Sequence, residues 1–92
     1  MALSISNHKG KFFLKGRLNS STSRFFIIHF EYLLSINDSV VINVDGLNEI
    51  DFDGITAFKT LKAIALNAFK KISVSSKNKN NIFNSFDYNN AA

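Results

Sequence analysis

The chain has 92 residues, 46% of them hydrophobic, with 11 Lys and Arg against 7 Asp and Glu. That length makes one domain, residues 1–92, near the small end of what folds alone; it buries roughly 60–65% of its unfolded surface, enough for a core but not for a deep enclosed active site. No cysteine is present, which excludes disulfides, thiolate metal sites and Cys catalysis and agrees with a cytoplasmic location.

Met1 to Ser6 lacks the basic and apolar regions of a signal peptide. The longest apolar stretch, Phe25 to Leu34, holds His29 and Glu31 and falls short of the ~20 residues a bilayer span needs. A soluble protein that does not span a membrane is expected. Ten Phe and no Trp predict a phenylalanine-heavy core.

In chain order, Leu3 and Ile5 alternate with Ser4 and Ser6, the period of a half-buried strand. Asn7-His8-Lys9-Gly10 reads as a turn and Lys11 to Lys15 as a second strand, so residues 2–16 predict a hairpin. Asn19 to Ser23 supplies several capping candidates ahead of a helix over 23–36. Val40 to Val44 is apolar at nearly every position, the pattern of a strand covered on both faces. A short loop then leads to Asp51-Phe52-Asp53-Gly54, which opens a second helix over 53–70. Ala57, Phe58, Leu61, Ile64, Ala65, Ala68 and Phe69 share one side of that helix. Ile72 and Val74 mark a last strand, residues 81–88 a short final helix, and 89–92 a frayed tail. The fold class is therefore α/β: a mixed four-stranded sheet, an N-terminal hairpin followed by parallel strands, in the order β-β-α-β-α-β-α.

Charge falls into three blocks. Residues 1–24 hold five basic side chains and no acid, residues 25–58 six acids and no Lys or Arg, and residues 59–92 six Lys and one Asp. The lysines flank strands or lie on the wet side of a helix, so no nucleic-acid partner is expected.

Two stretches carry a family resemblance. Gly16-Arg17-Leu18-Asn19-Ser20-Ser21-Thr22-Ser23 is similar to the Gly-x-Leu-Asp-x-x-Thr-Ala motif of STAS domains, the sulphate-transporter and anti-sigma-factor-antagonist family. Val41 to Ile55 resembles that family's apolar strand, following loop and Asp-Ser-Ser-Gly-Leu turn, without a gap. The likeness spans about residues 3–88. It implies a bacterial regulatory module that docks an anti-sigma factor or other signalling protein through Asp51, Phe52, Asp53, Gly54, Thr56, Lys59 and Thr60. Many members are phosphorylated by a partner kinase on the first Ser of the turn. Here that position is Phe52, which has no hydroxyl, so no phosphorylation is expected there; Asp53 stands at the second Ser position. The same likeness admits an accessory subunit that binds the ATPase of a membrane lipid-transport complex, since similar stand-alone members lack the Ser. No cofactor is implied.

The acidic residues of the second turn also fit sharper chemistry. Asp51-Phe52-Asp53-Gly54-Ile55-Thr56 also resembles the Asp-x-Asp-Gly-Thr motif of haloacid-dehalogenase-type phosphatases, with Asp51 as nucleophile and Asp53 as general acid. Against it, the strand is expected to end near Val44, and only Asp87 remains as a downstream acid. The expectation is a non-enzyme with no catalytic residue. Asp45, Glu49, Asp51 and Asp53 lack a Ca²⁺-loop spacing, so no metal site is expected, and Asp53 is the predicted helix cap with Asp45 and Glu49 solvated. His8 and His29 lack partners at ligand spacing; His29 should pack beside Phe25 or Tyr32. Finally, only Arg24, Glu31 and Ser35 form a clear polar stripe on the first helix. Some of Phe25, Ile27, Ile28 and Tyr32 should stay exposed as an apolar contact patch, one use of which is a homodimer.

Overall fold

Alternation of apolar and polar residues sets the architecture of the computed structural model, which describes residues 2–77. Strand β1 (Ser4–His8) turns through Lys9 and Gly10, both at positive φ, into β2 (Lys11–Leu18). Helix α1 (Ser23–Ile36), β3 (Ser39–Ile50), α2 (Phe52–Asn67) and β4 (Lys71–Ser75) follow. The sheet order is β1-β2-β3-β4, antiparallel between the first two strands and parallel across the others. The expected α/β fold with a hairpin and parallel strands is thus observed. The expected helix over 81–88 and the tail lie outside the described residues.

Right-handed crossovers between successive neighbouring strands place α1 and α2 on the same face of the sheet. There Phe26 of α1 meets Phe58 of α2 with ring centroids 4.7 Å apart, and Phe30 meets Phe12 of β2 edge-on at 5.8 Å. Phe26, Phe30, Phe58, Leu14, Leu18, Ile42 and Leu61 are the largest fully buried side chains among those described. Each such side chain contributes about 1.5–3 kcal/mol relative to exposure; Phe12, Phe26, Phe30 and Phe58 are buried, whereas Phe25, Phe52 and Phe69 are exposed, and leucines fill as much of the core as phenylalanines do.

Four boundaries differ from the sequence expectation. β1 runs through Asn7 and His8, which pair with Phe12 and Lys11, so the expected turn over residues 7–10 shrinks to Lys9 and Gly10. β3 does not stop at Val44; it runs to Ile50, because β2 extends to Leu18 and offers it a partner. Two register shifts, between Phe13 and Lys15 and between Gly16 and Arg17, let β3 carry extra residues through its Asp45-Gly46-Leu47-Asn48 stretch. Loop-type residues thereby sit in a bulged strand. Among the described residues, helices cover Val40 to Val44 on one side: Val40, Ile42 and Val44 face the core, while Asn43 bonds Ser75 on the other face.

α2 ends at Asn67, three residues short of expectation, with Ala68 as its C-cap. Phe69 follows at φ 59, its N–H bonding the carbonyl of Leu66 at 3.1 Å, while the N–H of Lys70 bonds that of Ala65 at 2.7 Å. This is the reversal that usually calls for Gly. As a result Phe69, expected on the buried side, is 96% exposed, and Ala68 is exposed too.

Candidate partner-binding site

The two motif turns meet at the C-terminal ends of β2 and β3. In the first, Thr22 is the N-cap residue of α1, yet its hydroxyl makes no cap bond. It donates instead to the carbonyl of Arg17 at 2.9 Å and accepts from the N–H of Asn19 at 3.0 Å, closing the turn back onto β2. Asn19 Oδ1 accepts from the N–H of Ser21 at 3.0 Å. Ser20 and Ser21 are left exposed.

The second turn starts where the N–H of Asp51 reaches the carbonyl of Leu18 at 3.3 Å, tying it to the first. Asp51 is extended, with φ −107 and ψ −171, and its Oδ1 accepts from the N–H of Gly54 at 2.9 Å. Asp51, not Asp53, is therefore the cap of α2. Extended backbone at the cap lets the short side chain reach the third helical N–H, and Asp51 is the residue in that conformation. Asp53 lies exposed in the first turn, where the helix dipole favours a carboxylate. Gly54 is buried: a Cβ there would stand 2.3 Å from the oxygen of Leu18 and 2.8 Å from Cγ1 of Ile50.

Phe52, first residue of the helix, points outward and is 79% exposed. It does not fold back on α2 or the sheet. Thr56, Lys59 and Thr60 are exposed as well, and at 100° per residue they share a face with Phe52 and Asp53. That face continues where the sequence reading stopped, through exposed Ala63 to Leu66, which is 76% exposed. The 52, 56, 59, 63, 66 spacing carried the signal. Phe52 and Leu66 bound the face with apolar groups about 20 Å apart.

The chemical alternatives can be placed on the same geometry. β3 runs to Ile50, the residue before Asp51, so the expectation of a strand ending near Val44 is corrected. The Asp51 carboxylate, however, is engaged as a helix cap. The four carboxylates have separate tasks. Asp45 is not simply solvated: it is half-buried and accepts from the hydroxyl of Ser76 at 2.7 Å and the N–H of Lys77 at 3.0 Å. Glu49 faces Arg17 Nε at 3.5 Å. Among the described residues no group of three or more His, Asp or Glu is placed to hold a metal ion.

On α1, Phe25, Ile28, Tyr32 and Ile36 form an exposed apolar stripe. Ile27, a candidate for this patch, is half-buried and packs against the core; Ile36 takes its place. His29 sits 5.8 Å from the ring of Phe25, as expected.

No family model matches the sequence, and no curated protein matches it. Among solved structures the chain is similar to one titled "Crystal Structure Analysis of Mglu", with a TM-score of 0.66 and 14% identity over 83% of this chain and 20% of that one. At that identity the likeness concerns the fold alone, and this chain spans about a fifth of the other's length. No helix among the described residues is long and apolar enough to cross a membrane.

Proposed function

We propose that this chain is a cytoplasmic, non-enzymatic regulatory module that binds a protein partner through the second turn and the outer face of α2. In this reading it resembles an anti-sigma factor antagonist of the STAS family that is not switched by Ser phosphorylation at that turn. The observation that carries the reading is Phe52: a large ring held out in solvent at the position where the resemblance implies the acceptor hydroxyl. Aromatic side chains of this kind anchor interfaces when a partner pocket desolvates them. The flanking Asp51 and Asp53 and the mixed apolar and polar helix face suit an interface with a polar rim.

The test places a photo-cross-linking phenylalanine analogue at position 52 or 66 in the native cell, with position 9 in the hairpin turn as control. The expected result is one shared protein adduct from 52 and 66 and none from 9. Phe52→Ala should abolish the adduct from position 66 while changing stability by less than about 0.5 kcal/mol. A kinase-like anti-sigma partner supports the leading form, and the ATPase of a transport complex the accessory-subunit form. Adducts that do not depend on position refute the site. A phosphate on Ser20, Ser21, Thr22 or Thr56 that alters binding refutes the uncoupling.

A further inference from the structure

The face of the sheet opposite the helices carries a different chemistry. On β2, Phe12, Leu14 and Leu18 point into the core, so Lys11, Phe13, Lys15 and Arg17 point the other way. Register then builds rows across this face. Ser6, Phe13, Asn43 and Ser75 are successive partners, with Asn43 Nδ2 donating to Ser75 Oγ at 3.2 Å. On one side of that row His8 pairs with Lys11; on the other, Ser4 pairs with Lys15, and Lys77 stands across the sheet. A depression of ≈ 470 Å³ lies there, lined by Ser4, Ser6, Phe13, Lys15, Asn43 and Lys77 among others. The rings of His8 and Phe13 meet at 6.4 Å and 67°. One acid, Asp45, also lines the depression, its carboxylate accepting from the Ser76 hydroxyl and the backbone N–H of Lys77, and Glu49 nearby pairs with Arg17.

Along the sequence the lysines flank strands or lie on the wet side of a helix. Strand alternation gathers Lys11, Lys15 and Lys77 around one half-buried aromatic ring, with amide and hydroxyl groups between them. We infer that this sheet face, which neither α1 nor α2 covers, binds single-stranded nucleic acid, with phosphates on the lysines and a base stacked over Phe13. Cations along a backbone path, an aromatic platform and hydrogen-bonding side chains are the elements of such surfaces. A broad sheet face suits unpaired bases and not the groove of a duplex. Large apolar groups are too few on it for a protein interface core. This surface lies on the opposite side of the sheet from α2, so the inference stands apart from the function proposed above.

The test is fluorescence anisotropy of the full chain with labelled oligo-dT and oligo-U of about 15 nucleotides, a length within the range one such face covers. Binding is expected at low salt and should weaken steeply as salt rises. Lys11→Glu with Lys15→Glu should weaken it at least about tenfold. Phe13→Leu, which keeps an apolar side chain but removes the stacking face, should weaken it about fivefold or more. Arg24→Glu with Lys62→Glu makes the same charge change on the helix side and should alter affinity by less than about twofold. Equal losses from the two charge-reversed pairs would reduce the binding to attraction by a basic protein and overturn the inference. So would no binding at low salt, an unchanged affinity for Phe13→Leu, or equally tight binding of labelled poly-glutamate.

Discussion

Replacing Gly54 by Ala tests how closely α2 is seated on the sheet. In an ordinary helix the change stabilises by about 1 kcal/mol, since Gly is the poorer helix former. Here the new Cβ would lie 2.3 Å from the carbonyl oxygen of Leu18, where ordinary contact begins at 3.4 Å, and 2.8 Å from Cγ1 of Ile50. The Ile50 side chain can turn; the Leu18 carbonyl is sheet backbone and cannot. Relief requires α2 to lift by about 1 Å. Overpacking of this kind costs about 1–3 kcal/mol, and lifting also weakens the Asp51 to Leu18 hydrogen bond, a further ~1 kcal/mol. After subtracting the helix gain, the net loss is about 2 kcal/mol, or a fall in Tm of about 8–16 °C for a domain this small. Urea and thermal unfolding would measure it, with Ala63→Gly on the exposed mid-helix as a control expected to lose about 1 kcal/mol. A Gly54→Ala protein as stable as the parent, or more so, would refute the seating described here.

Two further predictions concern the ends of the same helix. Asp51→Ala should cost about 1 kcal/mol and Asp51→Asn only a few tenths, because Asn retains the oxygen that accepts from Gly54; equal urea midpoints for the two variants would contradict the cap. Phe69→Gly should stabilise by about 0.5–1 kcal/mol, since a left-handed non-Gly residue costs about 1–2 kcal/mol and Gly returns part of that as unfolded-chain entropy. Its ring is 96% exposed and loses no packing; a lower urea midpoint for Phe69→Gly would show that the turn does not hold the conformation described.

Much of this architecture is legible in residue patterns, and the exceptions have identifiable causes. Helix α1 falls at 23–36 as expected, because Asn19 to Ser23 is a strong start signal and Asn37 a strong stop. The hairpin is legible from Ser4, Ile5, Ser6 and the Lys9-Gly10 turn. The length of β3 was not, since Asp45, Gly46 and Asn48 carry loop propensity, and only pairing with a long β2 overrides it. The end of α2 is hidden because Phe69 continues the apolar period while its backbone has already reversed. At the candidate site, the residues of the second turn are legible in the sequence but their division of labour is not. Both Asp51 and Asp53 are credible caps by type; the backbone angle of Asp51 decides between them. Sequence alone could not say whether Phe52 pointed out or in, because a first-turn aromatic can do either. The basic face was hidden for a simpler reason: its members come from β1, β2 and the end of β4, and only the register brings them together.

The glycine seam under α2 has a consequence for recognition. With room for only a hydrogen between helix and strand, the backbone that carries the exposed ring at position 52 is held close against the sheet. Under the function proposed above, the main chain of this turn would need little ordering on association, and the cost would fall on the rotamers of the exposed ring.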